Sequence, residues 1–223
     1  MQSADDSEMG GTRNEVKRRK VLVILPRGEA YRNFVYSGFL ALLSDNLDVS
    51  VAAVNPGGMM HTLLRGASSE EFTLEPREAR FPVLWMRRIL DAAHFHYLDS
   101  SAVRERRRRV VLGRQHRIFG GSEIIEIVAR RFASPGGLAL LSRMERRLSR
   151  LVRARGFGDT YGDISRFDLV FNTSHSHSDA ALPLVEMARW AGVPTCTFLF
   201  SWDNLTTQGR IPDVYDSFLA WNE

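Results

Sequence analysis

The sequence predicts an α/β fold: a doubly wound parallel sheet with a helical insertion at about residues 81–156. Three observations predict it. Short apolar runs closed by turn residues recur towards both ends of the chain. Segments of helical period lie between those runs. From Phe81 to about Gly156 the strand signal stops and only helical period remains. A βαβ series, a helical block and a second βαβ series give alternating layers on a parallel sheet.

The elements follow in order. Residues 1–19 are polar, with Gly10-Gly11, and read as a disordered tail. Val21 to Leu25 is an unbroken apolar run ended by Pro26, as expected of a central strand buried on both faces. A helix is expected from about Ala30 to Ser44, with Tyr31, Phe34, Val35, Phe39, Leu42 and Leu43 on one face. Gly38 on that face would allow close approach to the sheet. Val49 to Val54 is the second strand, stopped by Asn55-Pro56-Gly57-Gly58, and Glu71 to Leu74 is a short third. Phe81 to Leu98 is helical, with Pro82 in its first turn. Gly120-Gly121-Ser122 breaks the chain and offers an N-cap, and Ile124, Ile125, Val128 and Phe132 then line a helix. Pro135-Gly136-Gly137 breaks it again. Leu138, Leu141, Met144, Leu148, Leu151 and Val152 mark an amphipathic helix that ends by Gly156. Phe167 to Asn172 is a strand. The next helical segment starts near Ser178-Asp179, carries Pro183 early, and closes at Gly192-Val193-Pro194. Thr195 to Phe200 and Ser217 to Trp221 are the last strands, both expected to be buried. After the tail, residues 20–223 thus read as one Rossmann-like domain.

With 223 residues, of which 44% are hydrophobic and 25% charged, the chain has ample material for a core. Its net charge of +4 rests almost wholly on arginine, because Lys17 and Lys20 are the only lysines. The skew touches every region and points to no single anionic partner. The lone Cys196 excludes an internal disulfide and a cysteine zinc site, and its apolar strand suits a buried, inert thiol. Neither a signal-peptide core nor an apolar run of spanning length is visible, which fits a cytoplasmic protein.

Chemistry is expected at the carboxyl ends of the strands, where open parallel sheets bind ligands. After the first strand come Arg27, Gly28 and Glu29, with Arg32 and Asn33 in the first helical turn. A turn at Gly28 and a helix start would suit an anion, or the segment is an ordinary loop with exposed charges. The glycine spacing matches neither a dinucleotide fingerprint nor a P-loop. After the fourth strand, Asn172 to Asp179 holds only Asn, Thr, Ser, His and Asp. His175 or His177 there could act as a general base. The loop could instead simply cap a helix, and His-x-His without a third ligand argues against a metal. After the fifth strand comes Ser201-Trp202-Asp203-Asn204. Trp202 offers a flat face for a sugar or base, and Asp203 and Asn204 offer polar contacts. Alternatively Trp202 fills the core and its neighbours cap a turn.

The Arg-rich stretches 104–117 and 143–155 lack the aromatic interleaving and motifs of nucleic-acid binders, so no nucleic acid is expected. They read as solvated helix faces, or as a patch for anionic lipid at the inner membrane surface. His94 and His96, two apart on a helix, point to different faces.

The tract FLFSWDNLTTQGRIPDVYDSFLAWNE resembles a segment of bacterial surface-polysaccharide glycosyltransferases of GT-B architecture. Ser201 to Thr206, Gly209, Tyr215-Asp216 and Trp221-Asn222-Glu223 carry the resemblance. Arg27-Gly28 and Arg32-Asn33 are compatible with it. It implies two α/β domains facing across a cleft, of which this chain is similar to the N-terminal, acceptor-side one. It implies a nucleotide-sugar donor as co-substrate, no tightly bound cofactor, and a glycan or lipid-linked acceptor. It also implies a C-terminal domain or partner subunit that holds most of the donor. His175, His177, Asp203 and Glu29 are the candidates for the base. Arg27, Gly28, Glu29, Arg32, Asn33, Ser201, Trp202 and Asn204 are those for substrate binding. No second α/β series follows Glu223, so the chain is expected to be incomplete as a catalyst. A non-catalytic glycan- or protein-binding module of the same shape is the alternative. A half-enzyme related to sugar-nucleotide epimerases or glycerophosphotransferases is a further one.

Overall fold

A computed structural model describes residues 18–54, 62, 64–74, 81–105, 108, 121–153, 162–175, 180–200, 210–211 and 215–220. The fold is α/β and Rossmann-like, built on six parallel strands in the order β3-β2-β1-β4-β5-β6. The strands are β1 (Lys20–Leu25), β2 (Asp48–Ala53), β3 (Glu70–Thr73), β4 (Leu169–Asn172), β5 (Thr195–Leu199) and β6 (Ser217–Ala220). Every strand expected from sequence is present, within a residue or two at its ends. The Arg19 carbonyl already accepts the Asp48 N–H at 2.9 Å, ahead of β1.

β1 is the axis of the sheet, and its side chains alternate between two cores. Leu22 and Ile24 join Ala52, Val170 and the helix α6 (Leu182–Trp190) on one face. Val21, Val23 and Leu25 join Val49, Val51, Phe34 and Leu40 on the other. The alternation has period two, and both faces are covered, so the run in sequence is continuously apolar. Burying each such side chain stabilises the fold by roughly 1.5–3 kcal/mol relative to leaving it exposed.

The helix after β1 is not one piece. α1 (Gly28–Ala30) passes into a π-helical stretch, Tyr31–Val35, and α2 (Phe39–Asn46) starts afresh after Gly38. Gly38 has φ +78°, and a Cβ there would meet nothing within 4 Å. Its role is therefore the left-handed turn and not the close approach expected from sequence. The wide turn and the break reset the helical phase. Leu40 is buried as a result, and Leu42 is 64% exposed.

The insertion comprises α3 (Phe81–Leu98), α4 (Gly121–Arg131) and α5 (Pro135–Arg153). It has its own small core of Leu90, Ala93, Ala129 and Leu141. His96 Nε2 lies 2.6 Å from Glu126 Oε2 and pins α3 to α4. Pro135 opens α5, so Gly136 and Gly137 are its first turn and not a break. Ser134 Oγ caps it by accepting the Gly137 N–H at 3.1 Å. A Cβ on Gly137 would sit 2.5 Å from the Phe132 carbonyl oxygen, so this start requires glycine.

Two further expectations are corrected. Ile124, Met144 and Leu151 are exposed, whereas Glu145 and Ser149 are buried. The inward stripe of α5 turns from apolar to polar after Leu141, for a reason given below. β6 is the sheet edge, and its four residues are all exposed. Among the described residues no helix is long and apolar enough to cross a membrane.

Candidate functional site

From β1 the chain runs outward in one direction to β2 and β3, and from β4 in the other to β5 and β6. The carboxyl ends of β1 and β4 are thus neighbours at the point where strand order reverses, which is where such sheets bind ligands. Arg27, Gly28, Glu29 and Arg32 are exposed at the β1 end, and Asn33 is half-buried. Arg27 is extended, with φ −154° and ψ 165°, and leads directly into α1. Arg32 Nε reaches Asn33 Oδ1 at 3.5 Å.

Across the reversal, the polar residues after β4 are buried: Asn172, Thr173, Ser174 and His175 are at most 4% exposed. Each has a structural partner. The Thr173 N–H and hydroxyl both donate to the Ile24 carbonyl, at 3.1 and 2.7 Å, and continue the β1–β4 pairing past its last rung. Thr197 Oγ1 donates to the Asn172 carbonyl at 2.9 Å and ties β5 to β4. Asn172 Nδ2 donates to the Ser174 carbonyl and to Tyr215 Oη. This density of hydroxyls and amides, which sequence read as reactive, seals the strand ends in an interior where unmade hydrogen bonds are costly.

His175 is the one imidazole described in that loop. Its Nδ1 lies 3.1 Å from the Phe198 carbonyl oxygen. A carbonyl can only accept, so Nδ1 carries a proton, and in the neutral form of the ring the basic lone pair is then on Nε2. Fixing one ring nitrogen to a backbone carbonyl is how a histidine is held in one tautomer for use as a base. Its neighbour His177, together with Ser201, Trp202, Asp203 and Asn204, lies outside the described residues.

The resemblance-bearing pair Tyr215-Asp216 has structural duties. Tyr215 is buried against the α6 core and receives Asn172. Asp216 Oδ2 accepts the Thr195 N–H at 2.9 Å and the Thr195 hydroxyl at 2.8 Å, which clasps β6 to the start of β5. Cys196 is buried, and desolvation pushes its thiol pKa up, so it stays protonated and unreactive near neutral pH. Burial, with Glu71 adding to it, pushes the Tyr31 hydroxyl up to about 12. Among the described residues no cluster of three or more His, Cys, Asp or Glu could hold a metal ion.

A second polar cluster lies in the insertion, and sequence reasoning missed it. Arg87 of α3 donates from Nε to Glu145 Oε1 of α5 at 2.7 Å and from its terminal nitrogen to Glu186 Oε1 of α6 at 3.0 Å. Ser149 Oγ of α5 donates to Glu186 Oε2 at 2.8 Å. All four groups are largely buried. The signal was present in sequence: Leu141, Glu145 and Ser149 are four apart and share a face, so the two polar residues stand in phase with the core.

Comparison with protein-family models, with curated proteins and with solved structures finds no match to this chain.

Proposed function

We propose that this chain carries the acceptor side of a sugar-nucleotide-dependent glycosyltransferase of surface-polysaccharide synthesis. One observation carries the reading. Exposed Arg27, Glu29 and Arg32 stand at the reversal of strand order, beside the β4 end where His175 is fixed through Nδ1. The resemblance of residues 201–223 adds the sugar chemistry. In such a transfer an acceptor hydroxyl attacks the sugar carbon that bears the diphosphate, and a base removes the hydroxyl proton. His175 Nε2, Glu29, His177 and Asp203 are the candidate bases, and Arg27, Arg32 and Asn33 orient the acceptor together with Trp202 and Asn204. The cations that stabilise the leaving diphosphate belong to a C-terminal half or a partner subunit. The acceptor is a glycan or a lipid-linked glycan met at the inner membrane face.

A second reading is a glycan-binding module without turnover. The burial of His175 and the internal engagement of Asn172, Thr173 and Ser174 favour it. The two readings separate in one assay, in which the chain is offered nucleotide sugars with neutral oligosaccharides while nucleoside diphosphate release is followed. Release that drops about 100-fold or more in His175→Asn or Glu29→Gln supports transfer. Binding of oligosaccharide that weakens in Arg27→Ala, without release, supports the module. No oligosaccharide bound at millimolar concentration sinks both.

A further inference from the structure

A concavity of about 360 Å³ lies between α5 and α6, lined by Arg143, Arg146, Arg147, Arg150, Glu186, Arg189 and Trp190. Its volume is that of a small-molecule site. Of the five arginines among the described lining residues, four come from α5 at positions 143, 146, 147 and 150, which the helical repeat gathers into one stripe. The fifth, Arg189, and Trp190 are exposed on α6, whose Leu184, Val185 and Ala188 pack in the core.

The charge balance of this concavity is lopsided. Among its described lining residues Glu186 is the one acid, and both its oxygens are already engaged inward, by Arg87 and by Ser149. Arg146 feels the crowding: burial first, then Arg189, Arg143 and Arg210, pull its pKa down, while Glu145 raises it. A solvated charged helix face spreads its cations into water. Here they converge on a hollow, which concentrates their field. The guanidinium fork matches phosphate oxygens two at a time. The exposed indole of Trp190 supplies a flat apolar wall for the rest of a ligand. The walls are also fixed relative to each other, because the Ser149–Glu186 bond joins α5 directly to α6 and Arg87 braces both.

We propose that this concavity binds a small molecule carrying two or more phosphoryl groups. The proposal is independent of the glycosyltransferase reading, since none of its residues belongs to the strand-end site. The size of the hollow favours a compact polyanion over a nucleic-acid backbone, which tracks an extended stripe of cations.

Isothermal titration of the full chain with inorganic pyrophosphate and with orthophosphate tests it. Pyrophosphate is expected to bind at least about tenfold more tightly than orthophosphate and to weaken as salt rises. Arg147→Glu and Arg150→Glu, both at exposed positions that leave the helix core intact, should each weaken it by about tenfold or more. Arg108→Glu, an exposed charge reversal elsewhere, should leave it unchanged. Equal affinity for the two anions overturns the proposal, as does equal loss in Arg108→Glu. Uptake on phosphatidylglycerol vesicles with no pyrophosphate binding also overturns it and assigns the patch to a lipid surface.

Discussion

The sheet and the helical insertion are attached to the same molecule by different forces. Around β1, apolar side chains fill both faces, and the buried hydroxyls of Thr173 and Thr197 seal strand ends. The insertion buries a smaller apolar set between its own helices. Its described polar contacts with α6 are one arginine held between two carboxylates and the Ser149–Glu186 hydrogen bond. The difference matters energetically. Apolar packing degrades gradually when a methylene is lost. A buried ion pair fails abruptly when one partner goes, because the survivor is left charged and dry.

The largest test of this contrast is Arg87→Met. It removes the cation between Glu145 and Glu186, and a loss of about 3–5 kcal/mol is expected in denaturant unfolding. In hydrogen exchange, amides of α3 and α5 should lose protection while those of β1 and β2 keep theirs. Replacing Arg87, Glu145, Glu186 and Ser149 together by Met, Leu, Leu and Ala should restore most of the loss, since a well-packed apolar set can substitute for such a cluster. Equal deprotection of the sheet and the insertion in Arg87→Met would mean that the two unfold as one unit.

Asp216→Ala probes the sheet side. Removing the carboxylate that holds Thr195 should cost about 2 kcal/mol and free β6 without loosening the insertion. Gly38→Ala should cost about 1 kcal/mol, from placing a Cβ in a left-handed turn, with no clash to add to it. A much larger loss would show that Gly38 does approach other atoms closely.

The smallest effect is a pH dependence confined to the insertion. Burial first, and then Arg210, lower the pKa of His94 on α3. The unfolded chain therefore binds the proton more readily than the folded one. The contribution of neutral His94 is present above its ordinary value of about 6.5 and is lost as pH falls below it. In a His96→Gln background, protection of α3 amides, measured against their intrinsic exchange rate at each pH, should fall as pH falls from 7 to 5. His94→Gln should flatten that change.

Much of this molecule can be read from its sequence. A run such as Val21-Leu22-Val23-Ile24-Leu25 suits little other than a strand covered on both faces, and Gly192 marks a helix end by its need for positive φ. The candidate site was legible by position, since strand carboxyl ends follow from the fold class. It was less legible by role. Asn172, Thr173 and Ser174 look reactive in sequence because hydroxyls and amides serve catalysis and interior hydrogen bonding equally well. Only the partners distinguish the two uses, and here they are the Ile24 and Ser174 carbonyls and Tyr215.

The helical faces show where local pattern ends. Apolar spacing placed Met144 and Leu151 inward, and it carried no sign that Glu145 is buried, since carboxylates ordinarily face water. That rule gave way because Arg87, fifty-eight residues earlier, sits opposite Glu145. Hydrophobic period is a local property of the chain, and it was sufficient for the class of fold, the order of elements and the ends of the strands. The strand order β3-β2-β1-β4-β5-β6 and the Arg87 cluster depend on groups far apart in sequence. So does the arginine-lined hollow between α5 and α6. Electrostatic partners and shared cavities exist only once those distant groups are packed together, so only the tertiary structure could decide them.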